Sequence, residues 1–124
     1  MEPGYPLAAN KLASSLLENG GNADVALSYA QMARSGMPDS PISADTLAWA
    51  YYHKGTYGLA VDLLEDAVKR MPQNATFHYH LGLTYQKTNN RTRAKEHLER
   101  ALQINPKYPQ AAEIRKALSE LAGS

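Results

Sequence analysis

Apolar residues recur along this chain at the three- and four-residue spacing of one helix face, and short polar or Gly/Pro breaks interrupt them. Leu12, Leu16 and Leu17 predict a helix over Leu7 to Asn19, ended by the turn Asn19-Gly20-Gly21-Asn22. Val25, Leu27, Tyr29, Ala30 and Ala33 predict a second, Asp24 to Ser35, stopped by Gly36-Met37-Pro38-Asp39. Further helices are predicted over Pro41 to Lys54, Tyr57 to Met71, Ala75 to Lys87 and Arg91 to Ile104. Asn74 and Asn90 are expected to cap two of them, because their side-chain oxygens can accept from free N–H groups in the first turn, and Ser43 is a candidate late cap. A last helix is predicted from Tyr108 to Leu121, with Ile114, Leu118 and Leu121 on one face and Glu113, Arg115, Lys116 and Glu120 helping to keep the rest polar. Met1 to Pro6, with two prolines and a glycine, is expected to be a disordered lead-in. No strand is expected.

The pattern repeats. Leu47 returns as Leu81, Tyr51 as Tyr85, Ala60 as Ala94, Leu64 as Leu98, Ala67 as Ala101 and Pro72 as Pro106, each 34 residues later. A period in the thirties marks an array of helical repeats. Ala60 and Ala94 fit a close helix crossing, where a larger side chain would force the helices apart. Pro72 and Pro106 stop the second helix of each unit, since proline has no N–H to donate. Ala26, Ala33 and Pro38 stand one period before Ala60, Ala67 and Pro72, so a degenerate first unit precedes the two clear ones. Its first helix aligns only with one residue inserted in the turn, at Gly20 or Gly21.

Leu47, Ala48, Tyr51, Gly55, Tyr57, Ala60, Leu64, Ala67 and Pro72, and then Leu81, Gly82, Tyr85, Ala94, Leu98, Ala101 and Pro106, resemble the consensus of the tetratricopeptide repeat family. Two departures stand out: Ala44 and His78 occupy places where the family favours a bulky aromatic, and Asn89 and Arg91 replace the turn glycine and the aromatic after it, which predicts a looser turn. The resemblance implies an all-α fold, a right-handed α-solenoid of three helix-turn-helix units plus a C-terminal capping helix. Residues 7–122 are then a single domain, with repeats at about 7–40, 41–74 and 75–108 and the cap at 108–122. Terminal repeats need a polar outer face. The last helix supplies one, whereas Leu7, Leu12 and Leu16 leave an apolar flank at the other end. Either the chain is the C-terminal piece of a longer array, the preferred reading, or two copies form a homodimer through that flank. The stretch Asp45 to Tyr52 is also similar to large bacterial proteins of this family, some linked to surface polysaccharide or export systems.

The resemblance further implies that the first helix of each unit lines a concave groove. Its groove positions fall on Ile42, Asp45, Thr46, Trp49, Tyr52 and His53, on Thr76, Tyr79, His80, Leu83, Gln86 and Lys87, and roughly on Asn10, Lys11, Ser14, Leu17 and Glu18. Aromatics give large contact area at low entropic cost. The expected peptide contacts are Asp45, Trp49, Tyr52, Tyr79, His80 and Leu83, and the expected partner is a peptide or protein segment. Tyr51 and Tyr85 fall at packing positions. The alternative is a purely structural segment of a longer solenoid, without a ligand of its own. Chaperone-binding relatives grip a C-terminal carboxylate with cations, but the matching positions here hold Asn10 or Lys11, Ser14, Thr46, Thr76 and His80, so that clamp is not expected.

Composition narrows the field further. The chain has 124 residues, 44% of them hydrophobic, enough for one core. It has no cysteine, no apolar run long enough to cross a bilayer and no signal-peptide pattern, so a cytoplasmic location is expected if this is the whole protein. No cofactor or metal is expected: His78 and His80 point to different faces of a helix, no serine has a histidine–acid pair at a recognisable spacing, and no phosphate loop follows a strand. An enzyme is therefore not expected. Net charge is +1, with −3 over residues 1–70 and +4 over 71–124. The basic cluster Arg91, Arg93, Lys95 and Arg100 is interrupted by Glu96 and Glu99, so nucleic acid is an unlikely partner.

Overall fold

The computed structural model describes residues 5–123 as seven helices: α1 (Tyr5–Glu18), α2 (Ala23–Gly36), α3 (Pro41–Lys54), α4 (Tyr57–Arg70), α5 (Ala75–Lys87), α6 (Arg91–Ile104) and α7 (Ala111–Ala122). Consecutive helices pack as antiparallel hairpins, and α1, α3, α5 and α7 also touch in series. Two layers result: α1, α3, α5 and α7 on one side, α2, α4 and α6 on the other. This is the expected all-α solenoid. Of the expected disordered lead-in, Met1 to Gly4 lie outside the described residues, whereas Tyr5 and Pro6 are helical and Pro6 is buried. Helix α7 starts at Ala111 rather than Tyr108. Pro109 explains the delay, because a residue before proline is driven away from helical ψ.

The core is built from the repeated small and branched residues. Ala26, Ala60 and Ala94 are fully buried, as are Leu64 and Leu98. Ala48, Ala60, Leu64, Leu81, Tyr85 and Ala94 form one cluster across the second and third repeats. Each alanine sits where two helices approach closely, so Ala60→Leu should cost about 1–3 kcal/mol by overpacking. Urea melts of the wild type and variant would check it, and a neutral result would put the repeat register in error.

The turns show how one residue was inserted in the first repeat. Gly20, Gly55 and Asn89 take the left-handed conformation, with φ of 71°, 81° and 62°. The next residue closes the turn in each case: Gly21 N–H donates to Leu16 O (2.7 Å), Thr56 N–H to Tyr51 O (2.9 Å) and Asn90 N–H to Tyr85 O (2.9 Å). Thr56 and Asn90 also stand at the N-cap of the next helix, while in the first repeat Asn22 does that separately, accepting from Asp24 N–H and Val25 N–H. Gly21 is thus the extra residue. Asn89 holds the glycine position with the same closing bond, so this turn is as tight as the one at Gly55 and the expected loosening does not occur. Asparagine is among the few non-glycine residues that tolerate this region.

Asn74 and Asn90 cap α5 and α6 as expected, accepting from Phe77 N–H (3.1 Å) and Arg93 N–H (3.3 Å). Ser43 is not a cap. Ser40 takes that role, and Ser43 is buried inside α3, donating to Met37 O at 2.7 Å. The two consensus departures are compensated locally. Ala44 leaves room that Phe77 of the next repeat fills, together with Ala67, Leu63 and Val68. His78 bonds a second histidine, His97, with Nδ1 atoms 2.9 Å apart.

Candidate functional site

A groove of about 580 Å³ runs along the face formed by α1, α3, α5 and the start of α7. Asn10, Ser14, Leu17 and Glu18 line it from α1; Ile42, Asp45, Thr46, Trp49 and His53 from α3; Thr76, Phe77, Tyr79 and His80 from α5. These positions recur because residues three and four apart share a helix face. The chain between α6 and α7 closes the far end with Tyr108 and Gln110, and α7 adds Glu113.

The centre of the groove is a fixed aromatic stack. The Trp49 indole lies 4.3 Å from the Tyr52 ring at 15° and 3.8 Å from the His80 imidazole at 14°. Two rings so nearly parallel to the indole and so close to its centre cannot share one face, so Trp49 is sandwiched between them. Its edge, not a free face, meets the groove. His80 reaches across from α5 and its Nδ1 is 2.7 Å from Asp45 Oδ1, with Asp45 8% exposed. The imidazole N–H donates to the carboxylate, which fixes the ring against the indole. Second and third repeats are therefore tied by one stack and one charge-assisted bond. His53 sits edge-on to Trp49 at 5.1 Å, and burial, with His80 next, holds its pKa below the ordinary histidine value.

Tyr79 is 9% exposed and belongs to the cluster with Leu98, Ala101, Ile114 and Ala117. Burial first, then the Glu113 carboxylate, pushes its pKa up to about 12. Tyr108 stands beside it, ring centres 5.6 Å apart, and its hydroxyl lies 2.8 Å from Thr76 Oγ1. Burial raises the Tyr108 pKa, and the charges of Asp45 and Glu18 add to that. Glu113 of α7 thus acts on Tyr79, and Asp45 of α3 and Glu18 of α1 act on Tyr108. Asn10 contributes an unusual feature: its Oδ1 is shielded from solvent without a hydrogen-bond partner among the described residues, which costs about 1–3 kcal/mol until a donor is found.

Of the expected contacts, Asp45, Trp49, Tyr79 and His80 line the groove together. Tyr52 does not line it; it braces the indole and meets Tyr57 edge-on. Leu83 also lies off the groove, half-buried against the Tyr79, Leu98 and Ile114 cluster. Lys11 and Lys87, both expected in the groove, do not line it. Tyr85 is buried as expected, and its hydroxyl donates to Glu65; Tyr51 is half-buried between two core clusters. Tyr108 and Glu113 were missed because they lie at and beyond the end of the last full repeat. The Tyr108-Pro109 pair was the available signal, since it places Tyr108 in a turn. Among the described residues no cluster of three or more His, Cys, Asp or Glu could hold a metal ion, and no helix is long and apolar enough to cross a membrane.

Two tetratricopeptide repeat family models match the chain, one over residues 10–75 and one over residues 51–118. Comparison with curated protein sequences gives no significant match. Among solved structures, the first TPR of Spaghetti (RPAP3) bound to the HSP90 peptide SRMEEVD is 20% identical with a TM-score of 0.78, and the match covers 98% of this chain and 97% of that one. The Sgt2 TPR domain from Aspergillus fumigatus is 19% identical with a TM-score of 0.80, covering 94% and 76%. The second TPR domain of human RPAP3, in complex with the HSP70 peptide SGPTIEEVD, is 16% identical with a TM-score of 0.76, covering 98% of each chain. With the period, the two-layer stacking and family matches that each span more than half its length, the chain belongs to the tetratricopeptide repeat family.

Proposed function

We propose that this protein is an interaction module that seats an extended or helical segment of a partner protein in the groove between α1 and α7. The observation that carries this reading is the groove itself, continuous across all three repeats and the cap, with a rigid Trp49–His80–Asp45 centre and an exposed apolar residue, Ile42, beside it. Preorganised aromatics lower the entropic cost of binding, so most of the affinity should come from apolar area and the polar rim should set register. The similar domains solved with HSP90 and HSP70 peptides support peptide binding as a use of this architecture.

A second reading has its own support. Tyr5, Leu7, Leu12 and Val25 are exposed at the N-terminal end. That apolar flank suits a preceding repeat or a second copy, and the module would then be one segment of a longer solenoid.

Ile42→Ala should weaken partner capture about five- to tenfold, because the side chain is 51% exposed in the groove. The thermal midpoint should stay close to the wild-type value. Leu59→Ala, equally exposed but on α4, should leave capture unchanged. Quantitative pull-downs of both variants decide it: equal loss, or none in either, removes the groove reading.

A further inference from the structure

The charges that line the groove are all of one sign. Glu18, Asp45 and Glu113 contribute three carboxylates from three different helices, and among the described residues no lysine or arginine lines it. This is not a reflection of composition, since the chain holds 13 basic and 12 acidic residues and is net positive. The basic residues are turned elsewhere. Lys54 pairs with Asp24, Arg34 donates to Ser40 O, Arg70 pairs with Asp66, and Arg91 donates to Leu121 O. Glu18 and Glu113 are exposed and have neither a hydrogen-bond nor an ion-pair partner among the described residues. Asp45 spends one oxygen on His80 and keeps the other. The other polar groups lining the groove are Asn10, Ser14, Thr46, Asn74, Thr76, Gln110 and the hydroxyls of Tyr79 and Tyr108, with the imidazoles of His53 and of His80, the latter already bonded to Asp45.

Resting on the groove reading above, we propose that the occupant is a basic peptide segment, with lysine or arginine side chains reaching Glu18, Asp45 and Glu113 and an apolar side chain between them on Ile42 and the Trp49 edge. The argument is charge complementarity. A cation in this concave site meets three carboxylates and no competing lysine or arginine, and low-dielectric walls strengthen the field it feels. An acidic segment of the kind in the HSP90 and HSP70 peptides SRMEEVD and SGPTIEEVD would bring its carboxylates against those of the groove with nothing to neutralise them. The similar domains are alike in fold, and the acidic lining of this groove argues for a ligand of the opposite charge to those peptides. The buried, unpartnered Asn10 Oδ1 agrees in sign: it is an acceptor in want of a donor, and a lysine, arginine or backbone N–H of the segment supplies one once the amide turns toward the groove.

The test uses three pools of twelve-residue peptides with one fixed leucine: a basic pool with lysine or arginine at two flanking positions, an acidic pool with aspartate or glutamate there, and a neutral pool with serine or glutamine. Fluorescence anisotropy on the whole chain should show binding from the basic pool, weakening as salt rises because the pairs at the rim are screened. The double variant E18Q/E113Q should bind about five- to tenfold more weakly, and E99Q, on the outer helix α6, should bind as wild type. Neither change touches the core, so loss of fold does not confuse the result. Equal or tighter binding of the acidic pool, or indifference to E18Q/E113Q, overturns the charge proposal. If the neutral or acidic pool binds and Ile42→Ala abolishes that binding, the groove reading survives while this inference falls. If no pool binds and sedimentation shows self-association, both fall and the solenoid-segment reading takes their place.

Discussion

Leu98→Ala should lower the unfolding free energy by about 2–5 kcal/mol, the range for truncating a fully buried leucine that leaves a cavity. Leu98 has no exposed surface, sits on α6 and fills the space under α5. The same leucine sets the tolerance of its neighbour. A Cβ added to Gly82 would lie 2.6 Å from Leu98 Cγ and 2.8 Å from its Cδ2, with backbone N at 3.1 Å. Gly82→Ala should therefore destabilise by about 1–3 kcal/mol, even though alanine is the better helix former. In the preceding repeat the equivalent position is Ala48, packed in one cluster with Leu64, so the sequence shows that a methyl is acceptable there and not that it is excluded at Gly82. The two changes share one space and should not be additive. The double variant should be more stable than the sum of the single losses predicts, by roughly 0.5–3 kcal/mol. Denaturant titrations of the four proteins measure it, and strict additivity would mean that the backbone contact, not the Leu98 side chain, excludes the methyl.

Acidification should destabilise this protein through the His78–His97 pair. His78 Nε2–H donates to Pro72 O at 2.8 Å, which leaves its Nδ1 bare when the ring is neutral. That Nδ1 accepts from His97 Nδ1–H at 2.9 Å. The pair can add one proton and keep an N–H···N bond; a second would set two N–H groups against each other. Burial is the main cause holding both pKa values below 6.5, and the positive charges of Arg100 on His78 and of Arg93 on His97 act in the same direction. At His78 the Pro72 carbonyl and then Glu65 oppose them, and at His97 Glu65 and Glu96 do. Tyr85 packs on His97 at 5.9 Å, and its pKa of about 12 keeps it neutral throughout. Because the folded pKa values are lowered, the unfolded chain binds more protons. Stability is then complete above about pH 6.5 and falls as pH drops from there toward the folded values. The slope is about 1.4 kcal/mol per pH unit for each proton the fold excludes. His78→Phe, which restores the bulky aromatic the family favours at this place, should flatten the difference between pH 7.5 and 5. Urea midpoints of both proteins across that range test it, and parallel curves would remove the pair as the cause.

The period, the seven helices and the small residues at their crossings were legible along the chain, because helical spacing, proline stops and alanine positions are local statements written in order. The family resemblance also implied that Asp45, Trp49, Tyr79 and His80 line one groove, although spacing by itself puts only Asp45 and Trp49 on a shared helix face. What the residues on that face do to each other was decided only by the tertiary structure. Trp49 reads in the sequence as an open aromatic anchor, yet the fold brings His80 from 31 positions away onto one face of it and Tyr52 onto the other. Asp45 reads as a free charge, but 35 positions on it meets the same histidine. His78, read in the sequence as an odd choice for an aromatic place and as a poor metal partner for His80, turns out to be half of a hydrogen-bonded pair. Ends were harder than middles, because no repeat follows to fix the register: Pro6 is buried against expectation, and Tyr108 and Glu113 enter the groove from the end of the last repeat and beyond it. The groove's single sign of charge belongs to the fold as well, since a near-neutral composition becomes a one-sided lining only when the superhelix turns the basic side chains outward.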